Sequence, residues 1–175
     1  MRSWTSGSNY NFTVVLMKIL FVCTGNICRS PLAEGILSNK FKEKGLDIRV
    51  DSCGFESFHT GDLPDPRAIK EAAMNGIDIS QHASRLFRTE DFDLSDRIYV
   101  MDSSHYHKVM RLARNEQDRQ KVDYIMNVVY PGKNIPVPDP WYDDPPAFKK
   151  VFDLLEPACE KIASDLQHSK PARER

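Results

Sequence analysis

Cys23 and Arg29, with five residues between them, are two groups whose chemistry fits together. A thiolate is a nucleophile, and a guanidinium is a planar fork that grips two oxygens of a phosphate. The intervening Thr24, Gly25, Asn26, Ile27 and Cys28 include residues suited to a tight loop. Ahead of a helix, such a loop aims successive backbone N–H groups at one spot, where an anion binds. The same positive field would favour the thiolate of Cys23. Nucleophile, anion cradle and clamp in one short stretch describe phosphoryl transfer to a cysteine. A leaving oxygen then needs a proton, and Asp139 in Pro138-Asp139-Pro140-Trp141-Tyr142-Asp143 is a candidate donor. Asp before Pro is also ordinary turn chemistry, and Asp143 and Asp144 lie close by, so sequence alone leaves that choice open.

The elements around these residues give the loop its meaning. Ile19 to Val22 is a short apolar run, the mark of a buried strand. Ser30-Pro31 reads as a helix start, with the hydroxyl as cap and the proline in the first turn. Ala33, Ile36, Leu37 and Phe41 follow at helical spacing, and Gly45 should end the helix. A second strand is expected over 47–53, then a Gly- and Pro-rich loop carrying Phe55, Phe58 and His59. Asp65-Pro66 opens a second helix with Ile69, Ala72 and Ala73 inward and Gly76 as its stop. Thr89 should start a short helical turn containing Phe92. A third strand over 97–102 follows, then a helix capped by Ser103 or Ser104 with Tyr106, Val109, Met110 and Ala113 inward.

A fourth strand is expected over 122–126. Six of the 11 prolines fall between Pro131 and Pro146, which forbids a regular element and leaves a stiff surface loop. The last helix carries Phe148, Val151, Phe152, Leu155, Cys159, Ile162 and Leu166 on one stripe, with Pro157 expected to bend it. Strands alternating with helices imply an α/β fold, a parallel sheet covered on both faces, with the Cys23 loop at the carboxyl end of the first strand.

With these surroundings on the page, Cys-Thr-Gly-Asn-Ile-Cys-Arg-Ser-Pro resembles the phosphate-binding loop of the low-molecular-weight protein tyrosine phosphatases, over roughly residues 17 to 168. The resemblance implies a three-layer αβα fold with four parallel strands in the order 2-1-3-4. It implies Cys23 as nucleophile, Arg29 as phosphate clamp and Asp139 as general acid. The hydroxyl of Ser30 becomes a donor to the thiolate, and Thr24 to Cys28 surround the phosphate. Phe58, Trp141 and Tyr142 become walls for a flat aromatic substrate. Ser52, His82 and Asp102 match the family's supporting residues, and Cys28 matches the partner of a reversible disulfide with Cys23. The family more often has Tyr where Trp141 stands, and Trp or Tyr where Phe58 stands.

Composition is consistent with this and excludes other classes. The 175 residues suit one domain, 41% hydrophobic and 28% charged, and the net charge of −1 gives no sign of nucleic-acid binding. The 4 cysteines are too few and scattered for a disulfide scaffold or a metal site, and a working thiolate suits the cytoplasm. Lys18 interrupts the apolar run from Val14 to Val22 and no small-residue cleavage site follows, so neither a signal peptide nor a membrane anchor is expected. Residues 1–16 are expected to be a loose extension, 17–168 a single phosphatase domain and 169–175 a disordered tail. No cofactor is expected, and tyrosine-phosphorylated proteins are the expected partners.

Three other readings compete. A protein arginine phosphatase is the nearest by resemblance, but that branch tends to carry Thr where Ile27 stands. An arsenate reductase would want further resolving cysteines, and none lies between Cys53 and Cys159. A non-catalytic phosphotyrosine-binding module would have no use for Cys23 or Asp139.

Overall fold

The computed structural model describes residues 17–169; the expected extension over 1–16 and the tail from 170 onward lie outside the described residues. Four strands form one parallel sheet: β1 (Lys18–Val22), β2 (Arg49–Cys53), β3 (Arg97–Val100) and β4 (Val122–Tyr124), in the order β2-β1-β3-β4. This is the fold and strand order expected. The continuous apolar run of β1 is explained by burial on both faces. Ile19 and Phe21 join one core cluster while Leu20 and Val22 join another across the sheet, all at 0% exposure.

The larger cluster lies under α1 (Arg29–Glu43) and α6 (Pro146–His168), which contribute Leu32, Ile36, Leu37 and Phe41, and Phe148, Val151 and Leu155. Burying each such side chain contributes about 1.5–3 kcal/mol. Besides α1 and α6, the chain forms α2 (Pro66–Met74), α3 (Asp91–Leu94), α4 (Ser103–Leu112) and α5 (Glu116–Gln120). The opposite face is filled by Phe87, Phe92 of α3, Val109 of α4 and Ala113, with Val122 and Tyr124 of β4. Among the described residues no helix is long and apolar enough to cross a membrane.

Several local expectations are corrected. Ser30 is not the cap of α1: Cys28 stands at the cap position, the helix begins at Arg29, two residues earlier than expected, and Ser30 points its hydroxyl to Cys23 instead. Neither Ser103 nor Ser104 caps α4. Asp102 does, accepting from the backbone N–H of Ser104 and of His105, a stronger cap because its acceptor is charged. That cap ends β3 at Val100 rather than at residue 102.

Elsewhere β4 gives way after Tyr124 to a 3₁₀ turn over Ile125–Val128, and β2 starts at Arg49. The short helix α5, capped by Asn115, has too few apolar residues to be seen as a stripe. In α2, Ala72 is buried and Ile69 partly buried against the core as expected, but Ala73 is exposed and Ala68, one turn before Ala72, is buried in its place. Helix α6 runs unbroken through Pro157. The carbonyl that loses its partner belongs to Asp153, on the exposed side of the helix. Ser169 belongs to the end of α6, its N–H donating to the Asp165 carbonyl.

Candidate active site

Six residues, Cys23 to Cys28, connect the carboxyl end of β1 to the start of α1, and the loop closes on itself through Asn26. This residue is fully buried and takes a left-handed backbone, φ 55°, that asparagine tolerates better than most. Its Nδ2 donates to Ser30 Oγ at 2.9 Å and to Ser52 Oγ at 2.8 Å. Its Oδ1 accepts from His82 Nε2 at 3.1 Å and from the Arg85 backbone N–H at 3.0 Å. The amide is therefore fully satisfied, which fixes the loop. Glu34 completes the support: Ser52 Oγ donates to its Oε2 at 2.6 Å, and His82 Nδ1 lies 3.2 Å from the same oxygen.

The sulfur of Cys23 is nearly buried, 3.0 Å from Ser30 Oγ and 3.3 Å from the Asn26 N–H that donates to it. Ser30 Oγ accepts from Asn26, and its own proton can go to the sulfur, 3.0 Å away, or to the Cys53 carbonyl at 3.4 Å. Two donors thus face one sulfur, the arrangement that solvates a thiolate. The backbone N–H groups of Gly25, Ile27, Cys28 and Arg29 have no hydrogen-bond partner among the described residues. They are the donors an anion would take, at the N-terminus of a 15-residue helix. A Cβ on Gly25 would come within 3.0 Å of the His59 ring, so glycine there lets the cleft wall close on the loop.

Arg29 is 97% buried, its guanidinium shared among four groups. Nη1 donates to Asp102 Oδ2 at 3.0 Å and to the Val137 carbonyl at 3.2 Å. Nη2 donates to Thr24 Oγ1 at 3.2 Å and to Asp139 Oδ2 at 2.9 Å. The two carboxylates thus come from separate elements to one cation. Asp139 is in the Pro-rich segment before α6, and its Oδ1 accepts from the Trp141 N–H at 3.2 Å. Asp143 and Asp144 do not line the cleft that holds Cys23.

Burial alone would raise the Asp102 carboxyl. The Ser104 hydroxyl, His105 and the Arg29 guanidinium outweigh it and hold Asp102 below the usual carboxylate range. Behind it lies His105, fully buried, with Nε2 2.8 Å from Thr24 Oγ1. Its Nδ1 is 3.1 Å from Asp102 Oδ1, too bent for a hydrogen bond. Burial, with Arg29 nearby, pushes His105 down to about 4 against the pull of Asp102, so the ring is neutral at physiological pH. Burial likewise pushes Cys28 up, with the Asp65 charge adding, so Cys28 remains a thiol; Cys53 and Cys159 are raised for the same first reason.

The cleft over Cys23 has a volume of about 300 Å³. Its aromatic walls are Phe58, Trp141 and Tyr142, exposed to 72%, 38% and 94%. His59 stands between them, its ring 4.3 Å from that of Phe58 and 5.7 Å from that of Trp141. Of the residues singled out in the sequence, Asn26, Ser30 and Asp102 are hydrogen-bonded to residues that line this cleft, and Ser52 and His82 lie one bond further back, on Asn26; Asp143 and Asp144 stay outside. Sequence reading missed His59 and Glu56 on the wall, Glu34 and His105 beneath, and Arg67 beside the acid loop. Glu34 sits four residues after Ser30 on the same helix, a spacing that could have suggested it. Nothing in the local sequence marks His105.

Comparison with known proteins gives concordant results. The family model described as low molecular weight phosphotyrosine protein phosphatase matches residues 18–172. A putative low molecular weight protein-tyrosine-phosphatase of Synechocystis is 38% identical, over 86% of this chain and 96% of its own length. A crystal structure of a protein tyrosine phosphatase from Entamoeba histolytica, with Hepes in its active site, superposes with a TM-score of 0.81. It is 35% identical, covering 89% of this chain and 99% of its own. A structure of the YwlE arginine phosphatase, a mutant with a phosphorylated active-site serine, superposes at 0.80 with 27% identity, over 88% of this chain and 98% of its own.

Proposed function

The chain belongs to the low molecular weight phosphotyrosine protein phosphatase family, and from that membership we propose that Cys23 is its nucleophile, Arg29 its phosphate clamp and Asp139 its general acid. As a member, it is a cysteine-dependent protein-tyrosine phosphatase. The observation that carries the residue assignment is that Cys23, Arg29 and Asp139 line one cleft floored by unpaired backbone N–H groups.

The reaction runs in two steps. Cys23 Sγ attacks phosphorus, the S–P bond forms and the P–O bond to tyrosine breaks. Loop N–H groups and Arg29 hold the equatorial oxygens, where charge builds. The incoming phosphate takes over Arg29 Nη2, which in the free protein holds Asp139. Released from that ion pair, the Asp139 carboxylate takes up a proton from solvent and gives it to the departing phenolate oxygen. In the second step its carboxylate takes a proton from water as the water oxygen attacks phosphorus. The S–P bond breaks, returning the thiolate and releasing inorganic phosphate.

Phe58, His59, Trp141 and Tyr142 suit a flat ring, and Ile27 places an apolar side chain at the loop. This favours phosphotyrosine over phosphoarginine, for which a hydroxyl at that position would suit the guanidinium better. The likeness to an arginine phosphatase keeps that substrate as the alternative to be measured. The domain is taken to span 17–168, and its four buried free thiols suit a reducing compartment such as the cytoplasm. Cys28 is proposed as the disulfide partner that protects Cys23 from further oxidation.

The test is hydrolysis of matched phosphotyrosine, phosphoserine and phosphoarginine peptides by the wild type and by Cys23→Ser. Phosphotyrosine is expected to give the highest kcat/KM, and the variant to lose turnover while still binding vanadate through the loop and Arg29. A preference for phosphoarginine, or substantial turnover by Cys23→Ser, overturns the reading.

A further inference from the structure

Asp139 stands in a segment with little to hold it. Pro138 and Pro140 flank it and Pro145 and Pro146 follow, so four N–H donors are missing from nine residues over 138–146. The segment's amino-terminal side is anchored: the Val137 N–H donates to the Met101 carbonyl and its own carbonyl accepts from Arg29. On the carboxyl-terminal side, the tertiary hydrogen bonds before α6 come, among the described residues, from one side chain. Arg67 Nη2 donates to the Trp141 carbonyl at 3.0 Å, and Nη1 to the Asp143 carbonyl at 2.8 Å. Its guanidinium carbon also lies 4.5 Å from the centroid of the Phe148 ring and 6.0 Å from that of Trp141.

Arg67 is itself braced. Nε and Nη2 donate to the two oxygens of Asp65, at 3.0 and 2.8 Å. Asp65 is the cap of α2, and its own backbone N–H donates to the Ile27 carbonyl at 2.8 Å. A rigid path therefore leads from the anion loop at Ile27 to Asp65, to Arg67, and on to the carbonyls of Trp141 and Asp143. Trp141 in turn donates its N–H to Asp139 Oδ1. The phosphate cradle and the acid are held to the same two residues at the start of α2.

We infer that Arg67 is a positioning residue for proton donation, fixing the Asp139 segment at a set distance from the Cys23 loop. This rests on the reading of Asp139 as general acid. An arginine is required because its fork reaches a carboxylate and two carbonyls at once, which the single ammonium of lysine cannot do. The bond broken by Asp139's proton is the one to the leaving oxygen. Misplacing the acid therefore slows departure of a basic phenolate most, and of an acidic one least.

The experiment measures kcat and KM for Arg67→Met, Arg67→Lys and Asp139→Asn on a phosphotyrosine peptide and on aryl phosphates of graded phenol acidity. Thermal unfolding checks each variant. Arg67→Met is expected to slow the peptide about ten- to a hundredfold, part of the 10²–10⁴ that a general acid supplies. Its loss on p-nitrophenyl phosphate should be far smaller, and inhibition by vanadate should change less than about threefold, since the phosphate grip is intact. Arg67→Lys, which keeps the charge beside Asp65, should fold normally and show the same dependence in weaker form. Introduced into Asp139→Asn, Arg67→Met should cost little more.

A loss uniform across the phenols, or a full further loss in the double variant, overturns the inference while leaving Asp139 in place. If Asp139→Asn itself shows no dependence on phenol acidity, the general-acid reading fails, and the role of Arg67 fails with it.

Discussion

At the scale of single residues, the shape of the anion loop rests on Asn26. Its side chain fills four hydrogen bonds at 0% exposure, and its backbone is left-handed. Those two demands are separable by mutation. Asn26→Ala removes the bonds and keeps a Cβ in a conformation that costs most residues about 1–2 kcal/mol. Asn26→Gly removes the bonds but not the freedom to adopt φ 55°. Urea unfolding should therefore place the glycine variant about 1 kcal/mol above the alanine variant. Both should lose turnover to a similar degree, because in both Ser30, which faces Cys23, loses its Asn26 donor. Equal stabilities would show that the loop relaxes out of the left-handed region. The sequence makes Asn26 and Ser30 conspicuous because they lie between Cys23 and Pro31. It does not single out His105 or Arg67, whose contacts with Thr24 and with the acid segment span 81 and 74 or more residues and are made only by folding.

Among the elements, the end of β2 shows how closely the sheet supports the loop. Gly54 follows β2, and a Cβ there would lie 2.5 Å from the Thr24 carbonyl oxygen and 2.9 Å from the Asn26 nitrogen. Both are backbone atoms, so no side-chain rotation relieves the overlap and the loop itself must move. Gly54→Ala should cost about 1–3 kcal/mol and weaken vanadate binding. Gly45 ends α1 at φ +62° with nothing within 4 Å, so Gly45→Ala should cost about 1 kcal/mol in backbone strain and leave vanadate binding alone. Calorimetry and vanadate inhibition on the two variants check the contrast; loss of binding in Gly45→Ala would contradict it. Of these two roles only the helix stop is readable from sequence, because Gly45 follows a periodic apolar stripe. The role of Gly54 depends on the parallel register that sets Val22 beside Cys53. The same distinction applies to the elements themselves: β1, α1 and α6 carry strong patterns and were legible. The ends of β3 and β4 were set by Asp102 and by a 3₁₀ turn, which no hydrophobic period encodes.

Across the whole molecule, partly buried ionisable groups cluster around the sheet, and this ties stability to pH. Arg29 lies between Asp102 and Asp139, Arg85 between Asp51 and Asp91, and His105 behind them with no exposure. The signs differ in where they act. Asp51, Asp65 and Asp102 have depressed carboxyls: burial opposes each, but hydrogen bonds outweigh it, from Arg85 and Lys18, from Arg67, and from Ser104. Their stabilisation is present above the unfolded carboxylate range, about 4, and is lost as pH falls further. His105 is also depressed, from an ordinary 6.5 to about 4, chiefly by burial. The unfolded chain takes up this proton first, so stability falls as pH drops from about 6.5 to about 4, by at most about 3 kcal/mol. His105→Gln can keep a hydrogen bond to Thr24 without titrating. Urea midpoints measured in steps from pH 7.5 to 4.5 should decline in the wild type and decline much less in the variant, with the two curves sharing their further fall below pH 4. Parallel curves above pH 4.5 would mean that His105 is protonated in the native fold, which would set a second cation beside Arg29 in the phosphate site.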